Sequence, residues 1–145
     1  MRPIKFRAWD KKQNLWLSNS LNTYCVSGGI VVHVKYKPLG GGYEPESVRQ
    51  LKWSEIDDLE IVQFTGLLDK YGKEIYEGDI LVFGRQPHHP GNGNFKVYWH
   101  TEKPMFHVER FPKEKFMTPD LRQENCTHYE VIGNIYENPE LLKPA

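Results

Sequence analysis

The sequence predicts a mainly β domain: a small, strongly bent β-barrel of SH3-like character, built from hairpins and meanders, with one or two short helical turns including one at the C-terminus. Three observations carry this. Apolar residues recur at every second position in most segments, the period of a strand with one wet face. Clusters of Asp, Asn and Gly separate those segments, as turns require. The composition, with 12 Gly, 10 Pro and 13% aromatic residues, suits strands and loops better than a helical bundle or a disordered tail. At 145 residues the chain reads as one domain, residues 1–145. A domain of that size buries roughly 70% of its unfolded surface, enough for a core without metal or disulfides.

The first hairpin is legible in Ile4-Lys5-Phe6-Arg7-Ala8-Trp9, where apolar and charged residues alternate. Asp10 to Asn14 supplies a polar turn, and Leu15-Trp16-Leu17 begins the return. Tyr24-Cys25-Val26 and the β-branched run Ile30 to Tyr36 flank Gly28-Gly29, which can adopt the positive φ angles of a tight turn. Pro38 to Tyr43, with glycines at 40, 41 and 42, is expected as a flexible surface loop. It is no phosphate-cradling loop, because no Gly-Lys-Ser/Thr ending and helix N-terminus follow. Within Glu46 to Leu59, Ser54 as N-cap with Asp57 three residues on predicts a single helical turn. Leu59 to Phe64 alternates again as a strand.

The segment Gln63 to Phe83, QFTGLLDKYGKEIYEGDILVF, is expected to leave its strand at Gly66 and turn through Asp69 to Lys73. It turns sharply again at Glu77-Gly78-Asp79 and enters a buried strand at Ile80 to Phe83. The Gly-Asp pair suits a barrel corner, where the chain bends without opposing a side chain to a neighbouring strand. Phe95 to His100 and Met105 to Phe111 read as a paired meander. At the end, strand alternation runs to Tyr136, Asn138 caps, Pro139 takes the first helical position and Glu140 suits the positive helix end. Leu141 and Leu142 are expected to pack this turn back on the barrel.

Chemistry is harder to find. Asp69, Glu74, Glu77 and Asp79 form a carboxylate-rich stretch, but each has a turn or solvent role, and neither a His nor a second acidic motif completes a site. Adjacent His88 and His89 lie between prolines, yet neighbouring strand residues point to opposite faces, and further donors are missing. His100 and His107 read as strand-face residues, and no Ser or Cys sits in a nucleophile elbow. Cys25 and Cys126 match no ligand or redox spacing and are expected as free, packed thiols. The reading is a non-enzyme, with no catalytic, cofactor-binding or metal-ligating residue assigned.

The 19 basic and 19 acidic residues cancel, which disfavours a non-specific nucleic-acid binder. The start of the chain shows no apolar run of signal-peptide or membrane-span length, so a cytoplasmic location is expected and no membrane partner. Trp9, Trp16, Trp53, Trp99 and eight Tyr exceed what one small core readily hides, which points to an interface with a second copy or another protein. Lys96 to Trp99 and Arg110 to Lys113 mix basic and aromatic residues, the feature that keeps a nucleic-acid-binding barrel as the alternative. A metal-dependent hydrolase is the remote third.

IKFRAWD at the start, QFTGLLDKYGKEIYEGDIL in the middle and YEVIGNIYENPELL at the end resemble, in order and spacing, the YopX-like family of phage and prophage proteins. Residues 38–50 and 84–94 carry none of its motifs. The resemblance implies a small, mainly β, phage-encoded protein in a bacterial host's cytoplasm. It implies no activity and brings no catalytic residues with it.

Overall fold

A computed structural model describes residues 5–17, 22–27, 30–50, 57–84, 93–111 and 120–143. The fold is mainly β, as the sequence predicts, and the described strands lie in three sheets. The chain divides into two compact units, Phe6–Val62 and a larger one of Met1–Lys5 with Gln63–Ala145.

In the smaller unit, β1 (Phe6–Asp10) and β2 (Leu15–Trp16) form the first expected hairpin, with Trp9 opposite Trp16. Its turn is held by Asp10, whose Oδ1 accepts from the amides of Lys12 and Gln13 at 2.8 Å each. Asn14 closes it at φ 53°, a left-handed angle that Asn tolerates. Trp9 and Trp16 meet edge to face at 5.2 Å, and the Arg7 guanidinium lies 4.3 Å from the Trp16 ring centre. The second hairpin pairs β3 (Asn22–Ser27) with β4 (Ile30–Leu39), and Gly28-Gly29 lie outside the described residues.

One expectation fails here. The glycine-rich stretch is a tight hairpin turn, since β4 runs to Leu39 and β5 (Gly42–Gln50) starts three residues later. Glycines at a strand reversal let the ladder continue almost to the tip, which composition alone reads as a loop. Residues 46–50 belong to β5 and Asp57-Asp58 form a turn, and most of the single helical turn expected at Ser54 to Asp57 falls outside the described residues. Its cap, Ser54, lies outside the described residues.

The strand β6 (Leu59–Leu68) begins in the smaller unit and continues into the larger. It does not end at Gly66. The glycine takes φ 84° and the register with β7 (Glu74–Tyr76) shifts between Phe64 and Leu68, so it is a bulge inside the strand. In the larger unit, β8 (Asp79–Phe83), β9 (Asn94–His100), β10 (Met105–Phe111) and β11 (Tyr129–Asn134) form a sheet of order β10-β9-β8-β11. The expected meander is β9 with β10, in continuous antiparallel register from Phe95–Arg110 to His100–Met105. The apolar run of β8 is buried on both faces: Ile80, Leu81 and Val82 are at most 1% exposed. Ile75, Leu81, Val97, Phe106, Val108, Leu121, Cys126, Tyr129 and Val131 make the core. Cys126 is the packed free thiol the sequence predicted; the side chain of Cys25 lies outside the described residues.

A short helix, α1 (Gln123–Cys126), precedes β11, and Asn125 Oδ1 fixes its start by accepting from the Arg122 amide at 2.9 Å. At the C-terminus the helical turn is a 3₁₀ turn, Pro139–Leu142, with Pro139 at its start as expected. Leu141 and Leu142 are half-buried, and the turn runs against β9, where Asn94 Nδ2 donates to the Leu141 carbonyl at 2.6 Å. The strand before it stops at Asn134, not Tyr136. Asn134 Oδ1 accepts from the Tyr136 and Glu137 amides at 3.1 and 2.9 Å, a local bond that competes with the ladder and turns the chain. Asn138 makes no forward cap; its Oδ1 reaches back to the Asn134 amide at 3.4 Å.

Candidate functional site

The four carboxylates of the central segment do not converge. Asp69 is buried, and its Oδ1 accepts from the amides of Tyr71 and Lys73 at 2.8 and 2.9 Å. Asp79, 1% exposed, accepts the Tyr76 amide on Oδ2 at 2.8 Å. Glu74 pairs with Lys5 and accepts the Tyr76 hydroxyl at 2.8 Å. Glu77 is half-buried, its backbone amide bound to the Gln63 carbonyl at 2.9 Å. Two of these acids hold turns through backbone amides and a third bridges side chains across the fold. Gly72 and Gly78, at φ 82° and 81°, supply the left-handed positions those turns need.

His88 and His89 lie outside the described residues. His100 and His107 are on facing strands with ring centres 4.7 Å apart. His100 Nδ1 already accepts from the amides of Glu102 and Lys103, both at 3.2 Å. A ring that accepts there carries its proton on Nε2, which opposes ligation through that atom. His107 is 1% exposed with neither ring nitrogen hydrogen-bonded, and Nε2 stands 3.4 Å from Asp120 Oδ1. The Arg122 guanidinium beside Asp120, bound at 2.6 Å, holds that carboxyl below its ordinary range. Among the described residues no three His, Cys, Asp or Glu side chains are placed to hold a metal ion. Burial pushes the Cys126 thiol up to about 11, so it resists forming the nucleophilic thiolate.

A concave feature of the larger unit lies elsewhere, a cleft of about 470 Å³ whose described lining is Lys70, Tyr71, Gly84, Thr127 and His128. Three segments build it. The Asp69 turn docks on β11 through the Lys70 amide, which donates to the Tyr129 carbonyl at 2.9 Å. The end of β8 docks through the Gly84 amide, which donates to the His128 carbonyl at 3.0 Å, with Gly84 at φ 90°. Lys70 Nζ then ties the floor together: it pairs with Glu130 at 2.7 Å and donates to the Gly84 carbonyl at 3.1 Å. Glu130 holds the Lys70 ammonium above its ordinary pKa. Two of the lining residues carry rings, Tyr71 and His128. Tyr71 is 75% exposed with the Lys70 ammonium 4.8 Å from its ring centre, and Phe83, 40% exposed, lies 5.6 Å from the His128 ring.

Sequence reasoning missed this cleft. Its residues lie at positions 70–71, 84 and 127–128, and only the pairing of distant strands unites them. One signal was present: Tyr71 sits between a turn-forming Asp69 and Gly72, where no strand face exists to bury a ring.

The two longest motifs that carried the family resemblance meet beside this cleft, where the Lys70 amide donates to the Tyr129 carbonyl and the Val131 amide to Asp69. No curated protein matches the chain. Among solved structures it is similar to protein EF1440 from Enterococcus faecalis, with 32% sequence identity and a TM-score of 0.65 over 97% of this chain and 99% of that one. The family described as YopX protein matches residues 5–143. That match spans nearly the whole length, and the chain belongs to the YopX protein family.

Proposed function

We propose that this chain is a phage or prophage accessory protein of the bacterial cytoplasm that works by binding protein, a second copy of itself or a host or phage partner, and not by catalysis. The observation that carries this is the set of large side chains left exposed in the larger unit: Leu68 at 42%, Tyr71 at 75%, Phe83 at 40% and Trp99 at 39%. Large aromatic side chains are enriched in protein interfaces, where they bury much area at low entropic cost. Zero formal net charge supports the same reading, because copies of a neutral chain do not repel each other at long range. The nucleic-acid alternative has less behind it. Lys96, the basic group of its first motif, faces Glu109 at 3.6 Å, and Val97 beside it is core. Size-exclusion light scattering across a concentration series, with pulldowns from infected cells, tests the reading. A larger assembly or a specific, reproducible partner is the expected result; a monomer at every concentration with no partner recovered overturns it.

A further inference from the structure

We propose that His107 and Asp120 form a proton-operated clasp: a protonated His107 fastens residues 120–126 to the outer edge of β10, and a neutral one loosens them. The inference is independent of the protein-binding reading and adds a conformational control to the larger unit. Three observations carry it.

The first is a buried group whose bonding is unmet. His107 is 1% exposed, and among the described residues neither of its ring nitrogens is hydrogen-bonded. Buried polar atoms are nearly always bonded, so an unbonded pair on one ring calls for a physical role. A neutral imidazole offers one donor and one acceptor, whereas an imidazolium offers two donors and a charge.

The second is the carboxylate beside it. His107 and Asp120 form a β-bridge, which sets them opposite each other across the β10 edge. Nε2 lies 3.4 Å from Oδ1, within ion-pair range but without a hydrogen bond. The Arg122 guanidinium donates to Oδ2 at 2.6 Å and leaves Oδ1 to face the imidazole. Arg122, with Lys103 acting in the same sense, lowers the Asp120 pKa, so the acceptor is charged throughout the range in which histidines titrate. On β9, Tyr98 stands opposite His107 with its ring 6.0 Å away, and the His100 ring is 4.7 Å away. His100 Nδ1 accepts from the amides of Glu102 and Lys103, so that nitrogen is unprotonated. Lys96 and Glu109, next along the same face, pair with each other at 3.6 Å.

The third is what the clasp holds. Next to the bridge, the Leu121 amide donates to the Phe106 carbonyl at 2.9 Å, and Leu121 and Cys126 enter the core. Asn125 Nδ2 donates to the Asp120 carbonyl at 2.9 Å, which ties α1 to the same point. The chain then runs on to Thr127 and His128, two residues of the cleft. A charge-assisted bond gained at Asp120 therefore steadies a connected run of chain.

The test is hydrogen exchange of the full chain at about pH 5.5 and about pH 8, with imidazole nitrogen spectra recorded across the same range. Protection of the Leu121 amide is read relative to the amides of β8, which separates local opening from global unfolding. His107 is expected to titrate, and Leu121 protection to be about tenfold greater at the lower pH, as a bond to a charged group gives. His107→Gln removes the proton and Asp120→Asn the charge that answers it, and each is expected to abolish the pH dependence; His100→Gln is expected to keep it. Asp120 is half-buried and Asn keeps its size, so that variant retains the fold and decides the matter if His107→Gln does not fold. A His107 ring that stays neutral down to the lower pH, Leu121 protection that does not change, or a pH dependence that survives Asp120→Asn or vanishes in His100→Gln each overturn the proposal.

Discussion

Asp69 Oδ2 accepts a hydrogen bond from the Val131 amide at 3.0 Å, across 62 residues of chain. The other oxygen of the same carboxylate closes the turn to Lys73. One buried side chain thus both shapes a local turn and fastens it to β11, and the cleft depends on that fastening.

Replacing Asp69 should therefore cost more than a surface turn residue would. Asp69→Ala leaves three amides without their acceptor, one of them in a buried bond. Hydrogen bonds to charged groups are worth about 1.5–3 kcal/mol, and a loss of about 3 kcal/mol is expected in urea denaturation. Asp69→Asn, with one acceptor oxygen in place of two, should fall between. A loss under about 0.5 kcal/mol for Asp69→Ala would show that the turn holds without it.

Gly133 and Asn138 form a second obligatory contact. A Cβ at Gly133 would stand 2.5 Å from Asn138 Oδ1 and 2.9 Å from its Cγ. Gly133→Ala is expected to destabilise by about 2 kcal/mol, and Asn138→Ala on top of it to recover part of that. The favourable coupling in a double-mutant cycle is the diagnostic; simple additivity would assign the cost to the backbone instead.

Gly72 and Gly78 separate backbone strain from steric conflict. Both have φ near +80°, but a Cβ at Gly72 meets nothing within 4 Å, while one at Gly78 would come within 3.2 Å of the Tyr136 ring. Gly72→Ala should cost about 1 kcal/mol, the left-handed penalty alone. Gly78→Ala should cost measurably more, in the same denaturation assay.

Alkaline pH should unfold the protein through its core. Burial pushes the Tyr129 hydroxyl from 10.0 up to about 12 and the Cys126 thiol from 9.0 up to about 11. Both groups are neutral when protonated, and their raised values mean that the unfolded chain ionises first. Their stabilising contribution is complete below pH 9 and is lost as pH rises through 11 to 12. Denaturation midpoints measured from pH 7 to 12 should be flat and then fall, and Cys126→Ala should delay the onset of the fall.

Much of the fold is legible in local pattern. Alternation located β1 and the start of β6, an apolar run located β8, and the Asp10 and Asp69 turns were readable because their acceptors lie two to four residues from the donors they serve. The misreadings share a cause. Gly66 looks like a strand end and Gly40 to Gly42 like a loop, because a glycine signals a change of direction without saying whether the ladder resumes beyond it. Only the partner strand answers that. The bond made by Asn138 was misread for a related reason: it stands at the N-cap position, but its side chain reaches back to the Asn134 amide instead of forward into the turn.

The sequence alone determined the β class, the turns and the family, since period, glycine and short-range acceptors are local properties. The tertiary structure decided where the carboxylates go and that a cleft exists. Asp69 became a fastening instead of an acid when Val131 came within 3.0 Å, and Lys70 met Glu130 by the same docking. Contacts between residues sixty positions apart follow from strand order, and strand order is set by the packing of the whole core.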